Sequence, residues 1–589
     1  MNLLQKIKNV YRSSLVCKIG RSISAAYHTS RIFSMNTAGD MDDSLRASVL
    51  IRVKDGNRKT NAGMILSGAH RLMDQLLHIS IRELSILLLF WSLSVSASSL
   101  IDHNYANASI MAGLAVCFFL LSFVKASVRC VLSDCFIGKF FGWNFSASAR
   151  KQNIFLLCII GILAIIGGMF LPMPYSVFLP LIPIALLMIV YAKPIFFIVL
   201  IMICLPIFGT SACMILSILL LLSHFFQRLL GTISKQKINY VDILFGVYVL
   251  LCIIASLFSY SMIDSLRISL MWITLFSVVF IIYRNVCSKK DLITVITALF
   301  IGALVSCGVG LWQYLSGQID TTWTDTSLFE DLSIRIYGTF ANPNVFGEFL
   351  LLVIPFAVGL CIYFKQWKYK IACFIISIIL FVTLALTYSR GCYVGIAVTA
   401  VIFLWMYSKK ILGFLLVVGT PIGIMMLPQN MLDRIASMVN FADSSTSYRL
   451  KIYEGTFKIL GTYWQSGVGI GEDAFNYVYP FFGVQGIVAP HSHSLFLQLF
   501  VSFGIAGFAY FLIMMFLYHR NIISLMHTTP KDNRDRILPI IFSSVLFGFL
   551  TQSIFDYTWY NYRVYMLFWI VLVLGLTTHK ILKEGRGAV

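Results

Sequence analysis

The chain has 589 residues, of which 59% are apolar and only 12% are charged, and its mean hydropathy is +0.85. About a quarter of the residues of a soluble domain are charged, so this composition excludes a water-soluble globule, a disordered chain and a small disulfide scaffold. It indicates an all-α polytopic membrane protein. The net charge of +20 must be divided between the two sides of a membrane before it can indicate a nucleic-acid partner.

The N-terminal segment, residues 1–83, is polar and basic and has no acidic residue before Asp40. Such a segment is typical of a mitochondrial presequence. It is equally typical of an amphipathic segment that lies on the anionic inner leaflet of a membrane.

Sixteen apolar stretches of membrane-spanning length follow this segment, so we predict about 16 transmembrane helices. They divide the chain into N-terminal transmembrane helices over 84–240 and a membrane core over 241–589. The predicted spans are 84–101, 109–124, 153–171, 174–191, 194–209, 211–227, 241–260, 268–283, 292–314, 345–364, 371–388, 391–408, 411–427, 494–518, 537–555 and 564–579.

The distribution of basic residues predicts the orientation of these spans. With both termini in the cytoplasm, only eight of the 45 lysine and arginine residues fall on the outer side. This asymmetry follows the positive-inside rule, so the net charge is a topology signal and predicts no nucleic-acid partner. The eight outer residues are Arg267, Arg335, Arg390, Arg434, Arg449, Lys451, Lys458 and Arg563.

The 13 cysteines form no CxxC pair and have no metal-like spacing with histidine. Most lie inside apolar runs, where we interpret them as small buried hydrophobic residues. Examples are Cys117, Cys158, Cys204, Cys213, Cys252 and Cys373.

Two sizeable outer loops, 315–344 and 428–493, are the predicted location of a functional site, because rigid scaffolds commonly carry sites on loops. The first loop ends in segment I, residues 335–344, with the sequence RIYGTFANPN. Its last residues predict a helix start, with Asn342 as the cap and Pro343 in the first turn. Arg335 lies in the same segment and is either a bystander or a functional charge.

Segment II, residues 387–391, has the sequence TYSRG and joins two predicted spans. The turn is too short to carry Arg390 far into water. A charge at that depth needs an anion or a wet cavity nearby, unless its side chain extends to the interface.

The second loop contains a predicted amphipathic helix on the outer membrane surface, with apolar residues at 450, 453, 457 and 460. A glycine-rich turn, 467–471, follows; such a run is a weak phosphate signal, and a plain loop is the favoured interpretation. The loop ends in segment III, residues 490–494, with the sequence PHSHS. Histidine can exchange a proton near neutral pH, so His491 and His493 are candidate catalytic bases, or else solvated residues at a helix start.

Together and in this order, these segments resemble the O-antigen ligase and O-antigen polymerase (Wzy-type) superfamily, including Gram-positive polymerases of the teichuronic acid type. The resemblance covers roughly residues 240–580 and includes the glycine-rich turn and the FGIAG sequence at 503–507. The family usually has asparagine after the second histidine and often glutamate before the Phe-Gly pair. This chain has Ser494 and Ser502 at those positions.

The resemblance implies a GT-C-like bundle with a core of twelve helices, preceded here by extra N-terminal hairpins. It also implies an inverting, metal-independent glycosyltransferase without a cofactor. Such an enzyme moves a glycan from an undecaprenyl-diphosphate carrier to a glycan or lipid acceptor on the extracytoplasmic face of a bacterial cell membrane. Because the family is bacterial, the membrane-surface interpretation of residues 1–83 is preferred.

Arginines beside an apolar surface suit a diphosphate that carries a lipid tail, because guanidinium groups bind phosphate oxygens in pairs and stay charged. We therefore expect Arg335 and Arg390 to stabilise the leaving diphosphate, with Arg449 and Asn344 as further substrate-binding residues. His493 or His491 is expected to act as the base on the acceptor hydroxyl. For the outer acids, salt bridging is the favoured role and sugar binding the alternative; they are Glu330, Asp331, Glu472 and Asp473.

Two other classes of function remain open from the sequence. A lipid-linked-glycan transporter or flippase would use ionisable residues or broken helices near the middle of the membrane. A non-catalytic scaffold for envelope assembly would need neither. Within the enzyme class, the sequence does not decide between a ligase and a polymerase.

Overall fold

The computed structural model describes residues 80–101, 104–124, a few positions between 161 and 169, and then 193–229, 238–317, 335–426, 432, 444–484, 486–487 and 489–587. The chain divides into two compact units, Met1–Leu187 with Gln227–Leu244 and Met188–Phe226 with Phe245–Val589. Residues 1–79 and most of the predicted spans 153–171 and 174–191 lie outside the described residues.

The first unit contains a helical pair, α1 (Ile81–Ile101) and α2 (Tyr105–Leu121). Asn104 caps α2 by accepting a hydrogen bond from the amide of Asn107. Trp91 on α1 and Met111 on α2 are buried against each other, because both helices are apolar on the faces where they meet.

The remaining helices lie wholly or mostly in the second unit. They are α3 (Pro194–Ile207), α4 (Thr210–Leu229), α5 (Tyr240–Leu257), α6 (Met262–Asn285), α7 (Lys289–Leu315), α8 (Pro343–Tyr363), α9 (Trp367–Leu386), α10 (Arg390–Tyr407), α11 (Lys409–Phe414), α12 (Thr420–Met426), α13 (Ser444–Tyr463), α14 (Glu472–Val478), α15 (Leu495–Thr528), α16 (Ile537–Phe555) and α17 (Tyr562–Gly587).

Eleven helices of the described residues are long and apolar enough to cross a membrane, and two shorter apolar helices correspond to the predicted spans 109–124 and 194–209. The predicted span 411–427 is helical but interrupted, because the π-helix Leu415–Gly419 separates α11 from α12. The protein is therefore an all-helical polytopic membrane protein over its described residues, as the composition predicts.

Helices α8, α16 and α17 form the centre of the second unit and are buried along most of their length. Their close contacts depend on glycine. A side chain at Gly359 on α8 would overlap Ile541 on α16, and one at Gly548 on α16 would overlap Thr399 on α10. The site described below lies at the ends of these tightly packed helices and is rigid for that reason.

Segments I, II and III lie at the same end of the second unit, which we call the site end. The amide of Ile336 donates to the carbonyl of Leu386 at the end of α9, over 3.2 Å. The amide of Leu495, at the start of α15, donates to the carbonyl of Asp556 after α16, over 3.1 Å. At the opposite end of the unit, Lys289 and Asp535 form an ion pair of 2.6 Å.

The predicted outer loop 428–493 contains two helices, α13 and α14, rather than irregular chain alone. The α13 helix was predicted, but its buried face was not. Ile452 and Ile459 are fully buried, whereas Leu450 and Phe457 of the predicted apolar stripe are exposed. Leu460 of the stripe is buried in the same cluster as Ile452 and Ile459, and Tyr453 is half-buried, so the stripe is divided between the buried and the exposed sides of the helix.

The glycine-rich turn 467–471 is a structural connection, as the favoured interpretation expected. Gly467 has a φ of 71° and packs against the backbone of Gly504, where α15 is kinked with a φ of 64°. A side chain at either glycine would collide with the backbone of the segment that carries the other glycine. Both positions therefore need glycine.

The described cysteines are free thiols. Cys213, Cys252 and Cys373 are buried as predicted. Cys117 is exposed instead, because α2 turns that position away from α1.

Candidate functional site

Segment I is held in place by helix capping and by a glutamine. The side chain of Asn342 accepts hydrogen bonds from the amides at the start of α8, including that of Asn344 over 2.8 Å, which confirms the predicted cap. Gln313 on α7 accepts from the amide of Gly338 over 2.9 Å and donates to its carbonyl over 3.0 Å. The segment is therefore fixed at both ends against rigid helices.

Arg335 joins segment I to segment II. Its Nε donates to the carbonyl of Thr387 over 3.0 Å, and its Nη2 donates to Oδ1 of Asn344 over 2.9 Å. The side chain is half-buried. The guanidinium is thus oriented before any substrate binds, which lowers the entropic cost of using it.

Arg390 is the first residue of α10 and is half-buried. The start of α10 lies beside the first turn of α8, where a side chain at Gly347 would come within 2.8 Å of Cys392 Sγ. Two helix N-termini, each with partial positive charge, therefore lie next to Arg335 and Arg390. This part of the site is suited to an anion.

Arg449 reaches the site from α13. Its Nη1 donates to the carbonyl of Phe555 over 2.7 Å, and its Nη2 forms an ion pair of 3.3 Å with Oδ2 of Asp556. Arg449 is therefore held at the end of α16 by Phe555 and Asp556.

Asp556 is the centre of this second group of side chains. Burial by itself raises the pKa of the carboxyl, but the Arg449 guanidinium and the neighbouring histidines outweigh burial and lower the pKa below its ordinary value. The residue is consequently an anion at neutral pH. Its Oδ1 lies 3.5 Å from Nδ1 of His493 and also accepts from the amide of Tyr557.

His493 is held on three sides. Its Nδ1 faces Asp556, its carbonyl accepts from the hydroxyl of Tyr453 over 3.0 Å, and its amide donates to Nδ1 of His491 over 3.2 Å. Its side chain keeps 20% of its surface exposed. A carboxylate facing Nδ1 leaves Nε2 of the ring as the nitrogen that can take a proton from another molecule.

His491 is buried against the rings of Tyr557 and Tyr560, with centroid distances of 5.3 and 5.0 Å. Burial first, and then the nearby His493, lower its pKa to about 3. The ring is therefore neutral at physiological pH. Because its Nδ1 accepts from the amide of His493, its proton is assigned to Nε2.

The lowered pKa of His491 predicts acid sensitivity. The unfolded chain takes up a proton near the ordinary value of 6.5 while the folded chain does not, so stability falls as the pH falls from 6.5 towards 3. Thermal unfolding at about pH 7 and about pH 4.5 should show a larger loss for the wild type than for His491→Gln, which can still accept from His493. Equal losses in the two proteins would contradict the assignment.

The site also concentrates unusual backbone geometry. Three described residues other than glycine have a positive φ, namely Ala341 at 58°, Tyr388 at 49° and His493 at 50°. They fall one each in segments I, II and III. A positive φ costs energy in residues other than glycine, so it persists only where the surrounding contacts enforce it. Such positions are common at functional sites.

Two buried polar side chains, Glu348 and Gln552, lie one helical turn further into the helices than the two groups described above. One group contains the arginines of segments I and II, and the other contains Asp556 and its partners. Glu348 is 3% exposed, one helical turn beyond Asn344, and Gln552 is 2% exposed, one turn before Asp556. The two side chains are close enough to interact, and Gly391 allows Gln552 to approach α10. This pair connects the helix ends that carry the arginines with the helix end that carries Asp556.

Sequence reasoning missed Asp556 and Gln552. The available signal for Asp556 was an acid in a short aromatic connection between two apolar spans, DYTWYNYR at 556–563. Glu472 and Asp473, for which salt bridging was the favoured role, are exposed and form no ion pair with any described residue, so that expectation was wrong. Glu330 and Asp331 lie outside the described residues.

Arg563, counted among the outer cations, is buried and donates to the carbonyls of Phe208 and Thr339.

Within the described ranges, no group of three or more His, Cys, Asp or Glu side chains is arranged to hold a metal ion.

Residues 374–512 match a family model described as O-antigen ligase (Wzy_C). The match includes segments II and III, α13 and the kink of α15, and it confirms the resemblance to the O-antigen ligase and polymerase superfamily. Segment I and Asp556 lie outside the matched residues. A comparison with curated proteins gave no match.

Proposed function

We propose that this protein, which carries an O-antigen ligase domain at residues 374–512, transfers a glycan from a polyprenyl-diphosphate carrier to an acceptor hydroxyl during surface polysaccharide assembly. The single observation that supports this best is the convergence of segments I, II and III at one end of the helical unit. Two arginines, two helix N-termini and a histidine paired with a carboxylate meet there.

Arg335 and Arg390 take the role of diphosphate-binding residues. As the bond between the sugar and the diphosphate breaks, negative charge grows on the leaving phosphate oxygens, and preorganised cations stabilise that charge. The starts of α8 and α10 add their partial positive charge in the same place. Asn344 holds Arg335 in position rather than presenting its own side chain oxygen to the phosphate.

His493 takes the role of the base that accepts the proton of the attacking hydroxyl. Asp556 orients the imidazole through Nδ1 and stabilises the imidazolium that forms. His491 serves as a buried neutral acceptor for the amide of His493 and is a positioning residue. Arg449 keeps Asp556 ionised and fixes the end of α16.

We infer that the donor lies in the lipid bilayer and that the reaction takes place on the extracytoplasmic face of a bacterial cell membrane. The distribution of basic residues supports this orientation, because the site end carries few of them outside the site itself.

The direct test is reconstitution of the purified full-length protein in lipid nanodiscs with an undecaprenyl-diphosphate-linked glycan and a glycan acceptor. We expect a covalent product with release of undecaprenyl diphosphate. Movement of the intact lipid-linked glycan across a liposome bilayer with no covalent product would instead identify a flippase. The absence of both activities would favour an assembly scaffold.

A further inference from the structure

A pair of exposed tyrosines lies at the site end, outside the groups of side chains described above. The rings of Tyr260 and Tyr477 stack at a centroid distance of 5.8 Å with an angle of 20° between their planes. They are 46% and 60% exposed. The hydroxyl of Tyr260 donates to that of Tyr463 over 3.1 Å. We call Tyr260 and Tyr477 the tyrosine platform.

The platform is rigid. The amide of Tyr260 donates to the carbonyl of Val468 over 3.1 Å, and the amide of Val468 donates to the carbonyl of Val501 on α15 over 2.7 Å. The helix that carries Tyr477 is anchored by the buried Phe475 and Val478. Exposed aromatic rings that are held by buried neighbours present a ready-made surface to a ligand at a low entropic cost.

Two carboxylates lie beside the platform. Glu472 and Asp473 occupy the first turn of α14 and are exposed, and Asp473 and Tyr477 are four residues apart and share one face of the helix. Neither carboxylate forms an ion pair within the part of the chain that the structure describes. Their acceptor oxygens are available to hydroxyl donors.

Tyr560 relates this surface to the candidate active site. Burial and then the nearby Glu472 carboxylate raise the pKa of the Tyr560 phenol, so Glu472 and Tyr560 are neighbours. The ring of Tyr560 lies 5.0 Å from that of His491 and is 51% exposed. Tyr560 therefore contacts the ring of His491 and also lies within the electrostatic field of the Glu472 carboxylate.

We propose that the tyrosine platform, together with Glu472 and Asp473, binds a neutral stretch of the glycan away from the reacting end. The apolar C–H face of a sugar ring packs on an aromatic face, and sugar hydroxyls donate to carboxylates. The two carboxylates repel anionic polysaccharides and anionic lipid headgroups, which favours a neutral glycan over a membrane surface as the occupant. This inference rests on the proposed function, because it takes the ligand to be part of a transferred or accepting glycan.

The test measures binding to the full-length protein in nanodiscs, by saturation-transfer NMR and by titration. The probe is a set of short neutral oligosaccharides released by mild acid from the surface polysaccharide of the producing cells. We expect Tyr477→Ala to weaken binding about tenfold or more, corresponding to the loss of about 1.4 kcal/mol. The exposed double variant Glu472→Gln with Asp473→Asn should weaken it too. The matched control is Tyr369→Ala, a tyrosine that is 54% exposed at the start of α9, at the opposite end of the unit.

The proposal is overturned if Tyr477→Ala and the double variant of Glu472 and Asp473 both bind the oligosaccharide with unchanged affinity. It is also overturned if the wild type does not bind it. A fluorescent amino acid at position 477 adds a second measurement: quenching by soluble iodide is expected, and quenching by nitroxide lipids would show a membrane-facing surface and overturn the glycan assignment. A wild type that binds the oligosaccharide but transfers no glycan in the reconstituted assay would contradict the proposed function while leaving the platform in place.

Discussion

Replacing Arg390 with alanine is expected to lower the rate of glycan transfer by about 10²-fold or more, because removal of one preorganised charge-stabilising group costs rates of this order. Arg390 begins α10, three residues after Thr387, whose carbonyl accepts a hydrogen bond from Arg335. The measurement is product formation from a lipid-linked donor by purified protein. Unaltered yield and thermal stability of Arg390→Ala would show that the protein still inserts and folds.

Arg335→Ala is expected to have a comparable effect on transfer, with an added structural component, because this arginine also bonds Thr387 and Asn344. Arg335→Lys keeps the positive charge but loses the planar guanidinium, which can bind two phosphate oxygens at once. It should therefore retain only part of the wild-type transfer rate. The matched control is Arg534→Ala, an arginine that also donates to backbone carbonyls, at the opposite end of the unit. Full transfer activity in both Arg390→Ala and Arg335→Ala would reject the role of the arginines in binding the diphosphate.

Asp556→Asn is expected to slow transfer by about 10²- to 10⁴-fold, the range in which general-base catalysis contributes. The substitution keeps the shape of the side chain but removes the charge that faces Nδ1 of His493 and pairs with Arg449. Donor binding should change less than the rate, since the arginines of segments I and II are untouched. A matched control is Asp535→Asn, whose carboxylate pairs with Lys289 at the opposite end and whose side chain is 17% exposed against 15% for Asp556.

His493→Ala belongs in the same experiment. It should reduce the rate at least as much as Asp556→Asn and leave donor binding largely intact, and the double variant should lose little more than the worse single variant, because the two side chains act as a unit. A His493→Ala enzyme with a normal rate would contradict the assignment of His493 as the base. Additive losses in the double variant would instead indicate that Asp556 acts independently of His493.

The helix start at Asn342 and Pro343 and the helical character of residues 444–463 could be predicted from local chemistry, because caps and periodicity act over a few residues. The buried face of α13 could not, since it depends on which elements cover the helix. Its apolar stripe predicted an amphipathic helix on the membrane surface; the structure leaves Leu450 and Phe457 exposed but buries Leu460 together with Ile452 and Ile459.

The partners of the charged residues could not be predicted from the sequence either. Arg449 and Asp556 are far apart in the chain, and nothing in either local pattern indicates their ion pair. The same holds for the choice between the two histidines. Both stand in one short segment, yet only His493 faces the carboxylate, while burial keeps His491 neutral.

The sequence by itself determined that this protein is a polytopic helical membrane protein and drew attention to most of its candidate site residues in three short segments, because apolar run length and motif order are properties of the linear chain. Only the tertiary structure decided which of those residues meet, through helix ends placed side by side by close glycine contacts and through carbonyls and carboxylates that orient each cation. Pairing of charges depends on distances of a few ångströms between remote residues, and those distances exist only once the helices have packed.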